Sequence, residues 1–263
     1  MQGSEVQDSS IIKPGQMALL LVFTFIFVLL FGSIAVLLGG PKLGLLSESL
    51  VILPAVVYVV ITRRPFLRTF RIAPISAVLA GQTVLITLCT FVLGDALDRL
   101  IHRFFPMPEE WLEALVSLMT IDSFGDAVLL FSSAVLMAGI AEEMLFRGLI
   151  QRTLEHYRDP AMGIVLSSVF FALVHFNPWT AIQITLLGLV LGYLTWRTGS
   201  ILSAVILHSV NNLLSIVLLN IPEQRLSWYG SENHVHWPWI AAALLVFIVT
   251  VRSFNRRSGE LFD

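Results

Sequence analysis

The chain has 263 residues, of which 56% are hydrophobic and only 13% are charged. An ordinary soluble domain carries about 25% charged residues, so this composition excludes a typical soluble enzyme and favours a polytopic membrane protein. The formal net charge of −2 and the lack of basic runs give no support for nucleic-acid binding. The single cysteine, Cys89, excludes an intrachain disulfide and a metal site built from cysteines.

Long apolar stretches divide the chain into segments of about 20 residues, the length that a bilayer requires. We therefore predict an all-α polytopic membrane protein with about eight transmembrane helices around a buried polar cavity. The predicted spans cover approximately residues 17–39, 46–62, 73–95, 126–150, 160–177, 179–197, 200–220 and 238–252. Gly and Pro residues in the intervening segments are typical of turns.

The basic residues are distributed unevenly between the two sides of the predicted bundle. Of the 16 Lys and Arg residues, 11 fall in loops on one side and 4 on the other, while Arg147 lies inside a span. Basic residues are enriched in cytoplasmic loops. The bias predicts that both termini are cytoplasmic, in a multi-pass protein of the cell inner membrane.

Three further features carry structural predictions. The segment 96–123 mixes apolar and charged residues, and we interpret it as two short amphipathic pieces on the non-cytoplasmic face. Gly188 and Gly192 form a GxxxG pattern, which predicts close helix packing inside the monomer. Glu48 is interpreted as an interfacial residue, with a role in substrate entry as the lesser alternative.

The stretch AGIAEEMLFRG, residues 138–148, carries three charges inside an apolar span. A charged residue at a helix centre costs about 2.5 to 3.5 kcal/mol on insertion scales. Glu143 and Arg147 are spaced i,i+4 and can pair, whereas Glu142 lies about 140° from Arg147 around an α-helix. One interpretation is that these residues end the span and snorkel to the interface. The other is that Glu142 is left free for chemistry.

Other polar side chains in apolar spans could converge on Glu142. His175 lies near the end of the fifth span, and His208 and Asn212 share one face of the seventh at i,i+4. A single buried His is commonly a hydrogen-bonded structural residue, but this set could close a polar cavity. Glu and His can activate water, and His and Asn donors can stabilise an oxyanion. No HExxH or GxSxG motif is present.

Three short motifs resemble those of one membrane-protease family. EEMLFR (142–147) resembles its EExxxR motif, FALVH (171–175) its FxxxH motif, and HSVNN (208–212) its HxxxN motif. In order and spacing the chain is similar, over approximately residues 127–220, to the CAAX protease and bacteriocin-processing family, also called the CPBP or Abi family. The resemblance implies an intramembrane glutamate-type endopeptidase that cleaves peptide bonds within or beside the membrane.

The resemblance also implies roles for the motif residues. Glu142 would activate the attacking water with the assistance of His175, and His208 with Asn212 would form the oxyanion hole. Glu143 is grouped with these catalytic residues. The remaining motif residue, Arg147, would support them.

This interpretation divides the chain into four parts. Residues 1–16 form a cytoplasmic tail, and residues 17–123 form N-terminal membrane helices with the amphipathic segment. Residues 124–220 form a catalytic core similar to that of the CPBP family. Residues 221–263 contain a loop, the last transmembrane helix and a tail.

A zinc site is an alternative for the same residues. Two His and a carboxylate can make a catalytic zinc set, and the ligands would then be Glu142, His175 and His208. We prefer the mechanism without metal, because a His208 committed to an oxyanion leaves few ligands for zinc.

The predicted site requires His175 of the fifth span to lie near Glu142 of the fourth. A fifth span starting at residue 160 would carry His175 about 22 Å along its axis, far from Glu142. We therefore predict that the helix of Arg147 continues to about His156 and that FNPW, residues 176–179, is a turn buried in the membrane.

The predicted partners are a membrane-embedded or membrane-associated peptide or protein substrate and the lipid bilayer. Two other functions are compatible with the sequence. The chain could be a non-catalytic scaffold that binds a peptide, or a proton-coupled transporter that uses Glu142 and the His residues as a relay. The broken paired spans typical of many transporters are not evident in the sequence.

Overall fold

The computed structural model describes residues 8–231 and 233–259, and almost all regular structure in this part is helical. The helices are α1 (Pro14–Gly39), α2 (Pro41–Ile61), α3 (Phe66–Thr69), α4 (Ala77–Phe104), α5 (Glu109–Met119), α6 (Phe124–Tyr157), α7 (Pro160–Leu173), α8 (Ala181–Thr198), α9 (Leu202–Leu219) and α10 (Trp237–Gly259). A 3-10 turn (Glu223–Leu226) and a small antiparallel hairpin, β1 (Gly230–Ser231) with β2 (His234–Val235), precede α10.

Six helices of the described chain are long and apolar enough to cross a membrane: α1, α2, α4, α6, α9 and α10. This confirms the all-α polytopic class. Each of the eight predicted spans has a helical counterpart, but a count of eight transmembrane helices is not confirmed. The predicted fifth span, 160–177, is the clearest difference, because α7 has only 14 residues and would be about 21 Å long.

Only the second of the two amphipathic pieces predicted in residues 96–123 is a separate helix. The helix α4 continues without a break to Phe104, so the first predicted amphipathic piece is the end of the third membrane helix. Pro106 and Pro108 follow in the sequence and cannot donate backbone hydrogen bonds, which ends the helical run. The second predicted piece is a separate helix, α5.

The second membrane helix is interrupted, which the sequence analysis did not predict. The helix α2 consists of three pieces, Pro41–Gly44, Leu46–Leu50 and Leu53–Ile61. Pro54 stands in the first turn of the last piece, where its missing N–H costs nothing, but the same residue would disrupt a continuous helix.

The helix α6 carries the charged motif and alternates between two geometries. Residues Phe131–Met137 and Met144–Gln151 are π-helical, and the six-residue α-helical piece Ala138–Glu143 lies between them. Such π-helical insertions are uncommon and often mark functional sites. The prediction that this helix continues to about His156 is confirmed, because α6 ends at Tyr157.

Small residues allow the central helices to approach closely. A Cβ on Gly139 of α6 would lie 2.2 Å from Ser209 Oγ of α9. On α8, a Cβ on Gly188 would lie 2.9 Å from Ser168 Cβ, and one on Gly192 would lie 2.8 Å from Gln151 Oε1. The predicted role of the GxxxG pattern in packing inside the monomer is confirmed.

The contact between Gly148 and the segment before α4 provides a test of the packing. A Cβ on Gly148 would lie 2.7 Å from the carbonyl oxygen of Phe70 and 2.9 Å from its Cα. Because these are backbone atoms of a buried residue, we expect Gly148→Ala to lower the melting temperature in detergent. Overpacking of this kind costs about 1–3 kcal/mol.

The matched control is Gly81→Ala on α4, where a new Cβ meets no atom within 4 Å. Alanine has a higher helix propensity than glycine, by about 1 kcal/mol, so this variant should melt no lower than the wild type. Equal melting temperatures for the two variants would contradict the described packing of α6.

Candidate active site

The carboxylate of Glu143 is the centre of a buried polar cluster. Its Oε1 accepts a hydrogen bond from Arg147 Nη1 at 2.9 Å and lies 2.8 Å from His208 Nδ1. Glu143 and Arg147 are fully buried, and His208 is 3% exposed. The predicted i,i+4 ion pair is therefore present, and its carboxylate also holds a histidine of another helix.

Arg147 is held on several sides inside the bundle. Besides Glu143, its Nη2 donates to the carbonyl of Gly188 at 3.3 Å, and its guanidinium carbon lies 4.2 Å from the ring centre of Phe171. A cation over an aromatic face is attracted by the quadrupole of the ring. With this environment Arg147 is an internal residue, so the snorkelling interpretation does not describe it.

Glu142 differs from its neighbour in having no such partners. Its side chain is 8% exposed, and its buried Oε2 has no hydrogen-bond partner among the described residues. It lies close enough to His208, Glu143 and Arg147 to interact with their charges. A buried carboxylate without a local partner is costly, and such a group is available to bind water or substrate.

The contact with Glu143 restricts what His208 can do. A carboxylate accepts hydrogen bonds, so it favours a proton on Nδ1 of His208. The other nitrogen, Nε2, is then an acceptor in the neutral ring and a donor only in the imidazolium ring. The nearby negative charge of Glu143 stabilises the imidazolium.

His175 also has its Nδ1 next to an acceptor, but this acceptor is a neutral backbone carbonyl. Its Nδ1 lies 2.7 Å from the carbonyl oxygen of Phe171, and a carbonyl can only accept. The proton is therefore on Nδ1, which leaves Nε2 of the neutral ring as an acceptor. His175 is exposed, in contrast to Glu142 and His208, so it lies at an accessible edge of the cluster.

The backbone after His175 is unusual. Phe176 has a φ of 49°, in the left-handed region that bulky residues rarely adopt. Its ring lies 5.5 Å from that of Phe25, which is near the middle of α1. This contact agrees with a turn inside the span, while the depth of FNPW in a bilayer stays a prediction.

Phe171 connects the charged residues and the two histidines. Its ring is 1% exposed and lies 4.8 Å from His175 and 5.6 Å from His208, with both pairs in edge-to-face geometry. The same ring packs against Arg147. The first residue of FALVH was not predicted to be a site residue, although the motif contained it.

Asn212 lies apart from the other predicted site residues. Its Nδ2 donates to the carbonyl of Ala134 on α6 at 2.9 Å, whereas His208, one turn away on α9, contacts Glu143. No hydrogen bond joins Asn212 to Glu142, His175 or His208 among the described side chains. One amide hydrogen and the side-chain oxygen of Asn212 are left for other partners.

A line of polar residues continues from the site along α6. Gln151 donates to the carbonyl of Gly192 at 3.0 Å and to Glu155 Oε1 at 2.8 Å, and Glu155 forms an ion pair with Arg71. Together with Glu143 and Arg147, these residues of α6 follow an i,i+4 spacing. Gln151 and Glu155 were not predicted as site residues, although the same spacing is visible in the sequence.

The alternative zinc set of Glu142, His175 and His208 does not fit this geometry. Within residues 8–231 and 233–259, no three His, Cys, Asp or Glu side chains are grouped so that they could hold a metal ion. His208 also presents Nδ1 to Glu143, which leaves one nitrogen for any other ligand.

Comparison with known proteins supports the resemblance in the sequence. Residues 124–214 match a family model described as Rce1-like, type II CAAX prenyl endopeptidase Rce1-like. The matched segment contains all three motifs and confirms the similarity to the CAAX protease family. The match indicates a protease of the intramembrane CAAX endopeptidase type. No curated protein and no solved structure matches the chain.

The central position of Phe171 can be tested by substitution. We expect Phe171→Leu to lower the melting temperature in detergent, because leucine keeps the apolar character but loses the cation–π and aromatic contacts. These contacts are worth roughly 0.5–2 kcal/mol each. The control is Phe170→Leu, since Phe170 is 38% exposed and adjacent on the same helix. An equal effect of both substitutions would contradict the proposed role of the ring.

Proposed function

We propose that this chain is an intramembrane endopeptidase in which Glu142 activates a water molecule for attack on a peptide bond. The substrate is a membrane-embedded or membrane-associated protein or peptide. The similarity of residues 124–214 to CAAX prenyl endopeptidases supports the reaction class, and the contacts of the motif residues support the assignment of roles.

One observation carries the proposal, namely the different environments of two adjacent glutamates. Glu143 is bound by Arg147 and His208 through the same carboxylate oxygen. Among the described residues Glu142 forms no side-chain hydrogen bond through either oxygen, whereas only Oε2 of Glu143 lacks a partner. A general base must be free to take a proton from water, so Glu142 is the better candidate and Glu143 is a positioning residue.

In the proposed reaction, water lies between Glu142 and the scissile carbonyl. Glu142 accepts a proton as the water oxygen bonds to the carbonyl carbon and the carbonyl oxygen becomes an oxyanion. When the oxyanion collapses, the C–N bond breaks and Glu142 delivers the proton to the leaving nitrogen. The acceptor Nε2 of His175 orients the water, because the proton of its ring is held on Nδ1 by the carbonyl of Phe171. No step of this mechanism requires a metal ion.

The oxyanion of the tetrahedral intermediate requires hydrogen-bond donors. We assign this role to Nε2 of His208, in the imidazolium form that Glu143 stabilises, and to the second amide hydrogen of Asn212. The first amide hydrogen of Asn212 is bound to Ala134, which fixes the orientation of the side chain. Both donors are on α9, one helical turn apart.

The orientation in the membrane is part of the proposal. The Asp8 carboxylate forms ion pairs with Arg68 and Arg152, and the neighbouring carbonyl of Ser9 accepts a hydrogen bond from Arg64. A fourth arginine, Arg71, forms an ion pair with Glu155. These four arginines therefore lie together at one end of the bundle. By the positive-inside rule this end and both termini face the cytoplasm, in a protein of the cell inner membrane.

The proposed general base can be tested with a farnesylated CAAX peptide and purified protein in detergent. We expect Glu142→Gln to lower kcat by about 10²–10⁴-fold, the usual contribution of a general base, with little change in melting temperature. A matched control is Glu110→Gln, because Glu110 is an exposed residue of α5.

Two outcomes would contradict the proposal. Full cleavage by Glu142→Gln would exclude Glu142 as the base, and cleavage abolished by a metal chelator and restored by zinc would favour the metal mechanism. A folded wild-type protein that binds the peptide but does not cleave it would instead favour the non-catalytic scaffold.

A further inference from the structure

A third carboxylate lies next to the catalytic helix, on a part of the chain outside the three motifs. Glu48 belongs to the middle piece of α2, Leu46–Leu50. This piece packs against both Phe131–Met137 and Ala138–Glu143 of α6 and also against α1. The half-buried Glu48 is thereby held beside the segment that carries Glu142.

The charged neighbours of Glu48 are the residues of the candidate site. It lies close enough to Glu142, His175 and His208 to interact electrostatically with each of them. The helix α1 and the adjoining segment Phe131–Met137 of α6 contain no charged residue. Lys42, six residues earlier, is bound to acidic residues near the start of α6. Glu48 has no ion pair among the described residues.

Glu142 also has charged neighbours on its own helix and on α9. On its own helix Glu142 faces Glu143 and Arg147, and from α9 it faces His208. Since Arg147 forms an ion pair with Glu143, its positive charge is already balanced by a carboxylate other than Glu142. Glu48 and Glu142 are then two neighbouring acidic groups that share His208, and Glu48 also lies near His175.

We propose that Glu48 is a further residue of the reaction site, which acts on Glu142 through its negative charge and sets the pH range of cleavage. The inference rests on the proposed role of Glu142. Two neighbouring carboxylates do not ionise independently, because each negative charge opposes the second. Glu48 therefore influences the protonation of Glu142 and makes no direct contact with the scissile bond.

The test is the pH dependence of kcat/KM for cleavage of the farnesylated peptide. Removal of the negative charge in Glu48→Gln should move the acidic limb to lower pH, by on the order of one pH unit, because Glu142 then ionises without an opposing neighbouring charge. Glu48→Asp keeps the charge and should keep the acidic limb near that of the wild type. Glu110→Gln on α5 should leave the profile unchanged.

The outcomes separate this inference from the proposed function. If Glu142→Gln is inactive but the Glu48→Gln profile coincides with that of the wild type, the role of Glu48 is wrong and that of Glu142 is retained. If Glu48→Gln and Glu48→Asp lose equal activity at every pH, Glu48 serves packing and the inference is overturned. If Glu142→Gln cleaves normally, both proposals fall. Melting temperatures confirm that each compared variant is folded.

Discussion

The arrangement of the site depends on one buried carboxylate, that of Glu143. It binds an arginine of its own helix and a histidine of α9 through a single oxygen. Removing one partner of a buried ion pair leaves an uncompensated charge, which costs about 3–5 kcal/mol. Glu143 therefore fixes the relative positions of α6 and α9, and with them the orientation of His208.

Close helix packing allows the charged cluster of Glu143, Arg147 and His208 to be buried in an apolar bundle. Gly139 lets α9 approach α6, and Gly188 exposes a carbonyl that accepts from Arg147. Phe171 fills the space between the guanidinium and the histidine rings. The charged residues are thus enclosed by backbone acceptors and aromatic faces, in place of the water that a surface site would have.

The sequence predicted the elements whose signals are local. The i,i+4 spacing predicted the Glu143–Arg147 pair. The rise per residue along the fifth span places His175 far from Glu142 unless the preceding helix is extended, and this predicted a helix to about His156. The motifs in three separate helices predicted the family resemblance. These features depend on spacing along one helix or on short patterns that are visible in the printed chain.

Features that depend on contacts between helices were not predictable in the same way. The partner of His208 was not predicted, because His208 reaches the oxygen of Glu143 only when α6 and α9 are packed together. The π-helical segments have no distinct periodicity in an apolar stretch, and the break in α2 depends on how Pro54 is accommodated. Asn212 was predicted on the histidine face, but its carbonyl partner, Ala134, is set by helix register.

The most direct test of this account is a double-mutant cycle in kcat/KM between Glu143→Gln and His208→Ala. If Glu143 acts by holding His208, the double variant should be about as slow as His208→Ala alone, because the second substitution removes an interaction that is already lost. Independent losses that multiply in the double variant would contradict the account, since Glu143 would then contribute to cleavage without His208.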